Sequence, residues 1–332
     1  MEIYFDRCNK DFWTFSNDQQ SLRFNFCHQG KKLDNVKNFK AAYSGTGFPF
    51  ITVQFSKNNL ICYRWQANHW TAKEFTFNTS IEHFQVAQEK DGTCHLVLTC
   101  YSPQKNGLLH IYYYNGRWFQ EGLDLVDRTR SFLKLAYLPV EKMMFLIILD
   151  KESQLLRFFA WEPQERSWKK TLSVLKLAKN SKILSIEYSS KKIHVLSFAK
   201  DYYYKLNYSE FTTNGKICTE SQILLLPSIY PKECFMLKDK DMLGIICPTK
   251  GHPYIFYRNK RRVWKEQSVA GILDLSGIRA VQNSHGYISS RLSIPEMLNQ
   301  PLRYPLVLKF SEFMNMIQEI SQKTLLKSLP GF

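Results

Sequence analysis

An all-β fold built from one repeated four-stranded unit is what this 332-residue sequence predicts, and three observations predict it. A short, aromatic-rich hairpin recurs along the chain. Each hairpin is preceded by an apolar segment, and another apolar piece comes before that one. The unit returns at intervals of about 50 residues, which is the period of a β-propeller blade.

The stretch "GLLHIYYYNGRWFQE", residues 107–121, shows the hairpin most plainly. Leu109, Ile111 and Tyr113 alternate with His110, Tyr112 and Tyr114. That two-residue period belongs to a strand. Asn115-Gly116 supplies the positive φ angles of a tight hairpin turn, and Trp118 opens the return strand. Related hairpins run through "NLICYRWQANHWTAKEF", "QLLRFFAWEPQERSWKKTL" and "HPYIFYRNKRRVWKEQ", with Trp70, Trp168 and Trp264 as landmarks. In "YYYKLNYSEFTTNGKICTES" the turn is Asn214-Gly215, and Ile217 stands where the other copies carry Trp.

The apolar strands ahead of these hairpins are residues 48–56, 94–102, 142–150, 191–199 and 241–248. Unbroken apolar runs suit strands buried on both faces, as in sheets stacked between neighbours. A unit alone cannot cover its two apolar faces, and stacking units covers both. The recurring Trp is expected to fill the space between adjacent blades.

The N-terminus, "MEIYFDRCNKDFWTFS", reads as half a unit. Arg7 lies six residues before Trp13, as Arg64 does before Trp70 and Arg258 before Trp264. These first strands are predicted to be the third and fourth of a blade whose first two are residues 276–283 and 285–292. Counting Trp13, Trp70, Trp118, Trp168, Ile217 and Trp264 gives six blades, closed by strands from both termini. Five or seven stay open because residues 19–38 and 294–308 are irregular, the first of these reading as an extended connection. The propeller is assigned to residues 1–308. Residues 309–332 read as a C-terminal amphipathic helix, with Phe310, Phe313, Met314, Ile317 and Ile320 at helical spacing and Ser311 as N-cap. That helix is expected to pack on the ring, with dimerisation as the alternative.

Hydrophobic residues make up 44% of the chain and aromatics 15%, a globular composition with a β-rich bias. The longest apolar run, "MMFLIIL", is far short of the roughly 20 residues a membrane-spanning helix needs. With no export signal at the start, a soluble cytoplasmic chain is the expectation. The eight cysteines form no CxxC pair and lie mostly in apolar strands, so they are expected to be free and buried. The net charge of +16 favours an anionic partner, an acidic protein or other anionic macromolecule.

The chain contains no GxSxG, P-loop, GxGxxG or HExxH motif. No cofactor or metal is called for. Cys94, His95 and Cys100 are the nearest thing to a zinc set, but on a strand His95 points away from the two thiols. A glycosidase needs two facing carboxylates, and Glu82, Glu187, Glu233 and Asp274 are the candidates near entering strands. Arg258, Lys260, Arg261 and Arg262 make a basic turn, read as a solvated tip or a loop that contacts phosphate or carboxylate. Lysine pairs at 31–32, 169–170 and 191–192 are also placed at turns.

The recurring hairpin, with its aromatic strand, its polar turn and its Trp, resembles those of propeller lectins of the fucose-lectin and tachylectin types. The resemblance implies saccharide sites between blades, formed by Arg, Glu and Trp, and it singles out Arg7, Arg64 and Arg258. It covers the periodicity over most of the chain, while Arg is present in three units and no partner Glu recurs at a fixed offset. The sequence reading is therefore a non-catalytic interaction or scaffold module for an acidic partner. Carbohydrate binding between blades is its alternative, and hydrolysis in a central channel comes third. Arg7, Arg64, Arg258, Arg261 and Arg262 are the ligand-contacting candidates.

Overall fold

A computed structural model describes residues 2–6, 11–18, 20–26, 29–43, 48–101, 106–123, 133–138, 142–150, 153–177, 181–189, 192–200, 204–212, 217–226, 234–239, 242–247, 254–258, 263–267, 279–280, 287–290, 306–309, 312, 314–315 and 317–318. These residues are almost entirely β, in antiparallel sheets whose strands follow chain order. The chain divides into two compact units, Met1–Lys179 with Thr212–Lys216, and Asn180–Phe211 with Ile217–Phe332.

The first unit holds four sheets. The first comprises β1 (Glu2–Asp6), β2 (Asp11–Asp18), β3 (Ser21–Phe26) and β4 (Gln29–Leu33). The second comprises β5 (Asn38–Tyr43), β6 (Pro49–Ser56), β7 (Asn59–Gln66) and β8 (His69–Thr76). The third comprises β9 (Ser80–Gln88), β10 (Cys94–Tyr101), β11 (Asn106–Tyr114) and β12 (Arg117–Leu123). The fourth comprises β13 (Leu133–Leu138), β14 (Met143–Asp150), β15 (Leu155–Glu162) and β16 (Ser167–Lys176). The predicted turn at Asn115-Gly116 is present, with φ of 47° and 80°. Ala67 and Asn68 make the same kind of turn between β7 and β8, at φ 48° and 64°.

Second strands are the most deeply buried, as their continuous apolar runs require. Residues Met144 to Leu149 of β14 are all buried, and so are the first six residues of β6. Alternation then sends successive side chains to opposite neighbours. In β7, Leu60 and Cys62 pack into one core with Cys94, Leu96 and Leu98 of β10. Ile61 and Tyr63, one residue along, pack with Leu22 and Phe24 of β3. A third core joins Val97 and Tyr112 to Leu146, Phe159, Trp161 and Trp168.

The second unit holds β17 (Lys182–Ser189), β18 (Lys192–Lys200), β19 (Tyr204–Thr212) and β20 (Ile217–Leu226) in one sheet. A second sheet comprises β21 (Phe235–Asp239), β22 (Met242–Cys247), β23 (Tyr254–Arg258) and β24 (Trp264–Gln267). The last described sheet has three strands, β25 (Arg279–Ala280), β26 (Tyr287–Ser290) and β27 (Leu306–Lys309). Leu196, Leu206 and Tyr208 share a core with Met236, Leu243, Ile245 and Phe256.

The structure corrects the expected blade count and closure. Seven sheets are described, against six counted from the landmarks. The N-terminal hairpin pairs with β3, so it supplies the first two strands of its own sheet instead of completing one begun near the C-terminus. Residues 21–26 and 29–33, expected within an extended connection, form the two strands that complete it. Strands β26 and β27 pair with each other, so the C-terminal strands likewise have a sheet of their own. Cys234 and Cys247 are disulfide-bonded, against the expectation of free thiols. The register explains this: Phe235 pairs with Ile246, which sets the two cysteines opposite each other on the next rung.

Glu312, Met314, Asn315, Ile317 and Gln318 are helical, with Met314 and Ile317 buried. The rest of the expected helix over 309–332 lies outside the described residues. Among the described residues, no helix is long and apolar enough to cross a membrane.

Candidate inter-sheet functional site

Each last hairpin presents one cross-strand pair at its turn end. The pairs are Phe26 with Gln29, Trp65 with Trp70, Tyr113 with Trp118, Trp161 with Trp168, Phe211 with Ile217 and Arg258 with Trp264. The third-strand member is aromatic in the first five sheets, and Arg258 takes that place in the sixth. Trp13 stands elsewhere: it pairs with Tyr4 on the second strand of its sheet, and Gln29 occupies the landmark position there. Where the ring contacts are described, these pairs face the preceding sheet. Trp65 meets Phe26 at 5.0 Å between centroids and Trp161 meets His110 at 4.8 Å. The aromatics noticed in the sequence are therefore seals between sheets, and each seal has its own polar contents.

Between the third and fourth sheets the contents are a directed hydrogen-bond chain. Trp168 Nε1 donates to His110 Nδ1 at 3.2 Å, so the proton of a neutral His110 sits on Nε2. That nitrogen lies 3.0 Å from His95 Nδ1, and His95 Nε2 lies 2.8 Å from a Glu89 carboxylate oxygen. Indole, imidazole, imidazole and carboxylate thus pass donors in one direction. Burial, reinforced by the neighbouring His95, lowers the His110 pKa well below 6.5 and keeps this ring neutral.

Between the two four-stranded sheets of the second unit the contents are ionic. Arg258 reaches from β23 to the Glu210 carboxylate and the Tyr208 hydroxyl on β19. Lys192 Nζ holds the other carboxylate oxygen at 2.5 Å, and Tyr208 donates to Glu210 at 2.9 Å. His194 Nδ1 lies 2.7 Å from the same hydroxyl. Burial raises the Glu210 pKa, but the bonds from Lys192, Arg258 and Tyr208 outweigh it and hold the carboxyl at about 2. Arg258 is itself buried, so it is not part of a solvated basic tip.

The rim between the second and third sheets differs from both. Arg64, on β7, lays its guanidinium 3.3 Å from the centre of the Tyr113 ring on β11. Trp118 stands edge-on to Tyr113 at 5.2 Å and to Phe75 at 5.2 Å. Arg64, Tyr113 and Trp118 are all half-buried. Beneath them lies the buried Cys94 thiol, whose proton goes to the Gly92 carbonyl at 3.3 Å. Burial pushes the Cys94 thiol up to about 12, so it is no nucleophile at neutral pH. Two buried polar atoms here lack hydrogen-bond partners among the described residues, Arg64 Nε and Gln88 Oε1. Arg64 Nη1 has only a long 3.4 Å bond to Gln66. A cation lying over an aromatic ring, a half-buried indole and hydrogen-bonding groups unfilled among the described residues thus meet at one rim.

Of the five ligand-contacting candidates, Arg64 lies at this rim and Arg258 in the ionic latch; Arg7, Arg261 and Arg262 lie outside the described residues. The shared six-residue spacing does not make Arg64 and Arg258 equivalent. Arg258 pairs directly with Trp264, whereas Trp70 pairs with Trp65 and leaves Arg64 on the opposite face. Glu82 is exposed, Glu187 lies in β17, and Glu233 and Asp274 are outside the described residues. His95 and Cys94 face different sheets. Lys31 and Lys32 fall in β4, Lys169 and Lys170 in β16, and Lys192 opens β18, so these lysines are in strands and not at turns. Nothing in the sequence pattern joins Gln88, Cys94 and Tyr113 to Arg64; their meeting follows from the register of two sheets.

No protein-family model and no curated protein matches the chain. Solved structures do. A lectin of Aleuria aurantia, in complex with Fucalpha1-6GlcNAc, superposes with a TM-score of 0.51 at 9% identity, covering 80% of this chain and 94% of that one. What the two share is the propeller fold. BBS1N, in complex with ARL6DN, gives 0.50 at 10% identity, with coverages of 87% and 89%. Dipeptidyl peptidase 4 of Porphyromonas gingivalis gives 0.53 at 8%, covering 87% of this chain and 48% of that one.

Proposed function

We propose that this chain is a carbohydrate-binding propeller that takes a saccharide at the rim formed by Arg64, Tyr113 and Trp118. The observation that carries the reading is Arg64 itself. Its guanidinium lies against an aromatic ring, and its buried Nε has no acceptor among the described residues. A buried donor left unmade costs about 1–3 kcal/mol, so the site gains from an oxygen-rich ligand. A pyranose supplies hydroxyl acceptors for the guanidinium and C–H groups that pack on an indole ring. Likeness of fold to a lectin crystallised with a disaccharide supports the same reading. A scaffold role toward an acidic macromolecule rests on the net charge alone, and the fold neighbours favour the saccharide over it.

The test is a glycan array probed with the wild-type chain, Arg64→Ala and Trp118→Ala. Signal on a defined set of saccharides is expected, falling by about tenfold or more in both variants, the loss of one charge-assisted hydrogen bond or one stacked ring. Wild-type signal that persists in both variants places the saccharide elsewhere and sinks the assignment.

A further inference from the structure

We infer that the saccharide bound at the Arg64 rim carries a negatively charged group, a carboxylate or a sulfate ester, on its pyranose ring. This rests on the carbohydrate reading above and narrows it to a ligand class. Two arginines of this chain differ in how their charge is answered. Arg258 is buried against Glu210, whose carboxylate it shares with Lys192, so its charge is answered within the protein. Among the described residues Arg64 makes no ion pair: its side chain lies over the Tyr113 ring and bonds the Gln66 amide oxygen, both uncharged.

A partly desolvated cation without a counter-charge is an expensive arrangement unless something brings the charge. The geometry also fits an oxyanion. The guanidinium lies over the Tyr113 ring, 3.3 Å from its centre, and its N–H donors form a planar fork suited to two acceptors. A neutral sugar would fill those donors with hydroxyls and leave the charge unanswered. A uronate or sulfated sugar fills them and neutralises it. The net charge of +16 adds long-range attraction for such a ligand.

The experiment is isothermal titration of the full chain with matched pairs of methyl glycosides: glucuronate against glucose, galacturonate against galactose, and 6-sulfated galactose against galactose. Acetate and inorganic sulfate are titrated alone as controls. One acidic member is expected to bind about tenfold or more tightly than its neutral partner, the margin of one charge-assisted over one neutral hydrogen bond. That preference should vanish in Arg64→Gln, which keeps a polar side chain while removing the charge. The carboxylate and sulfate arms identify which group is recognised. Neutral sugars that bind as well as acidic ones, with binding still lost in Arg64→Gln, overturn this inference and leave the carbohydrate reading standing. Acetate or sulfate binding as tightly as the acidic sugars also overturns it, because the ring then contributes nothing. No binding by any sugar removes both readings.

Discussion

Arg258→Met is expected to destabilise the chain by about 3 kcal/mol. Removing one member of a buried ion pair typically costs 3–5 kcal/mol, because the partner is left charged and dry. The lower end applies here because Lys192 still holds one Glu210 oxygen. Pairing the change with Glu210→Leu is expected to recover the loss to within about 1 kcal/mol, since Lys192 is 29% exposed and can turn to solvent. The sign of the pH dependence follows from Glu210. Its folded pKa of about 2 lies below the ordinary 4.5, so its contribution is present above 4.5 and disappears as the pH falls toward 2. In Arg258→Met that acid limb should flatten. Denaturant titration of the single and double variants between pH 3 and 7 checks both points, and a double variant no more stable than the single one would show that Glu210 is not what Arg258 answers.

Trp161→Ala should cost as much or more, about 4 kcal/mol. Trp161 is 4% exposed and its ring meets His95, His110, Tyr112 and Trp168 at centroid distances of 5.7, 4.8, 5.3 and 5.4 Å. Large aromatic truncations in such places cost 3–5 kcal/mol through lost burial and the cavity left behind. The cavity would also open the His95–His110 chain to water, relieving the burial that keeps His110 neutral. Trp118→Ala, at a half-buried rim, should cost less than half as much. Urea unfolding of both variants gives the comparison, and equal losses would mean that the two seals are not graded by burial.

Most of the architecture was legible because it is written in periodicity. The two-residue alternation around Tyr113, the Asn115-Gly116 turn and the unbroken apolar second strands all became what their patterns require. The mismatch between Arg64 and Arg258 has its physical origin in the length of the turns. Trp65 and Trp70 close a hairpin one residue shorter than Arg258 and Trp264. A single residue in a strand reverses the face to which a side chain belongs. Equal spacing therefore hid the fact that Arg64 and Arg258 point to opposite neighbours. The first sheet was misread for a related reason: a Trp near the N-terminus looked like a landmark, while Phe26 and Gln29 occupy the landmark pair without a Trp. The Cys234–Cys247 bond and the meeting of Gln88 with Cys94 depend on pairing between strands, which single-strand patterns do not carry.

Chemical-shift mapping of the Arg64 Nε–H and Trp118 indole N–H resonances during titration with a saccharide identified on the array tests the central claim most directly. The site described here predicts saturable shifts in both, with the Trp168 indole, already bonded to His110, unmoved. Binding that shifts Trp168 or other indoles while leaving Arg64 and Trp118 unchanged would contradict it.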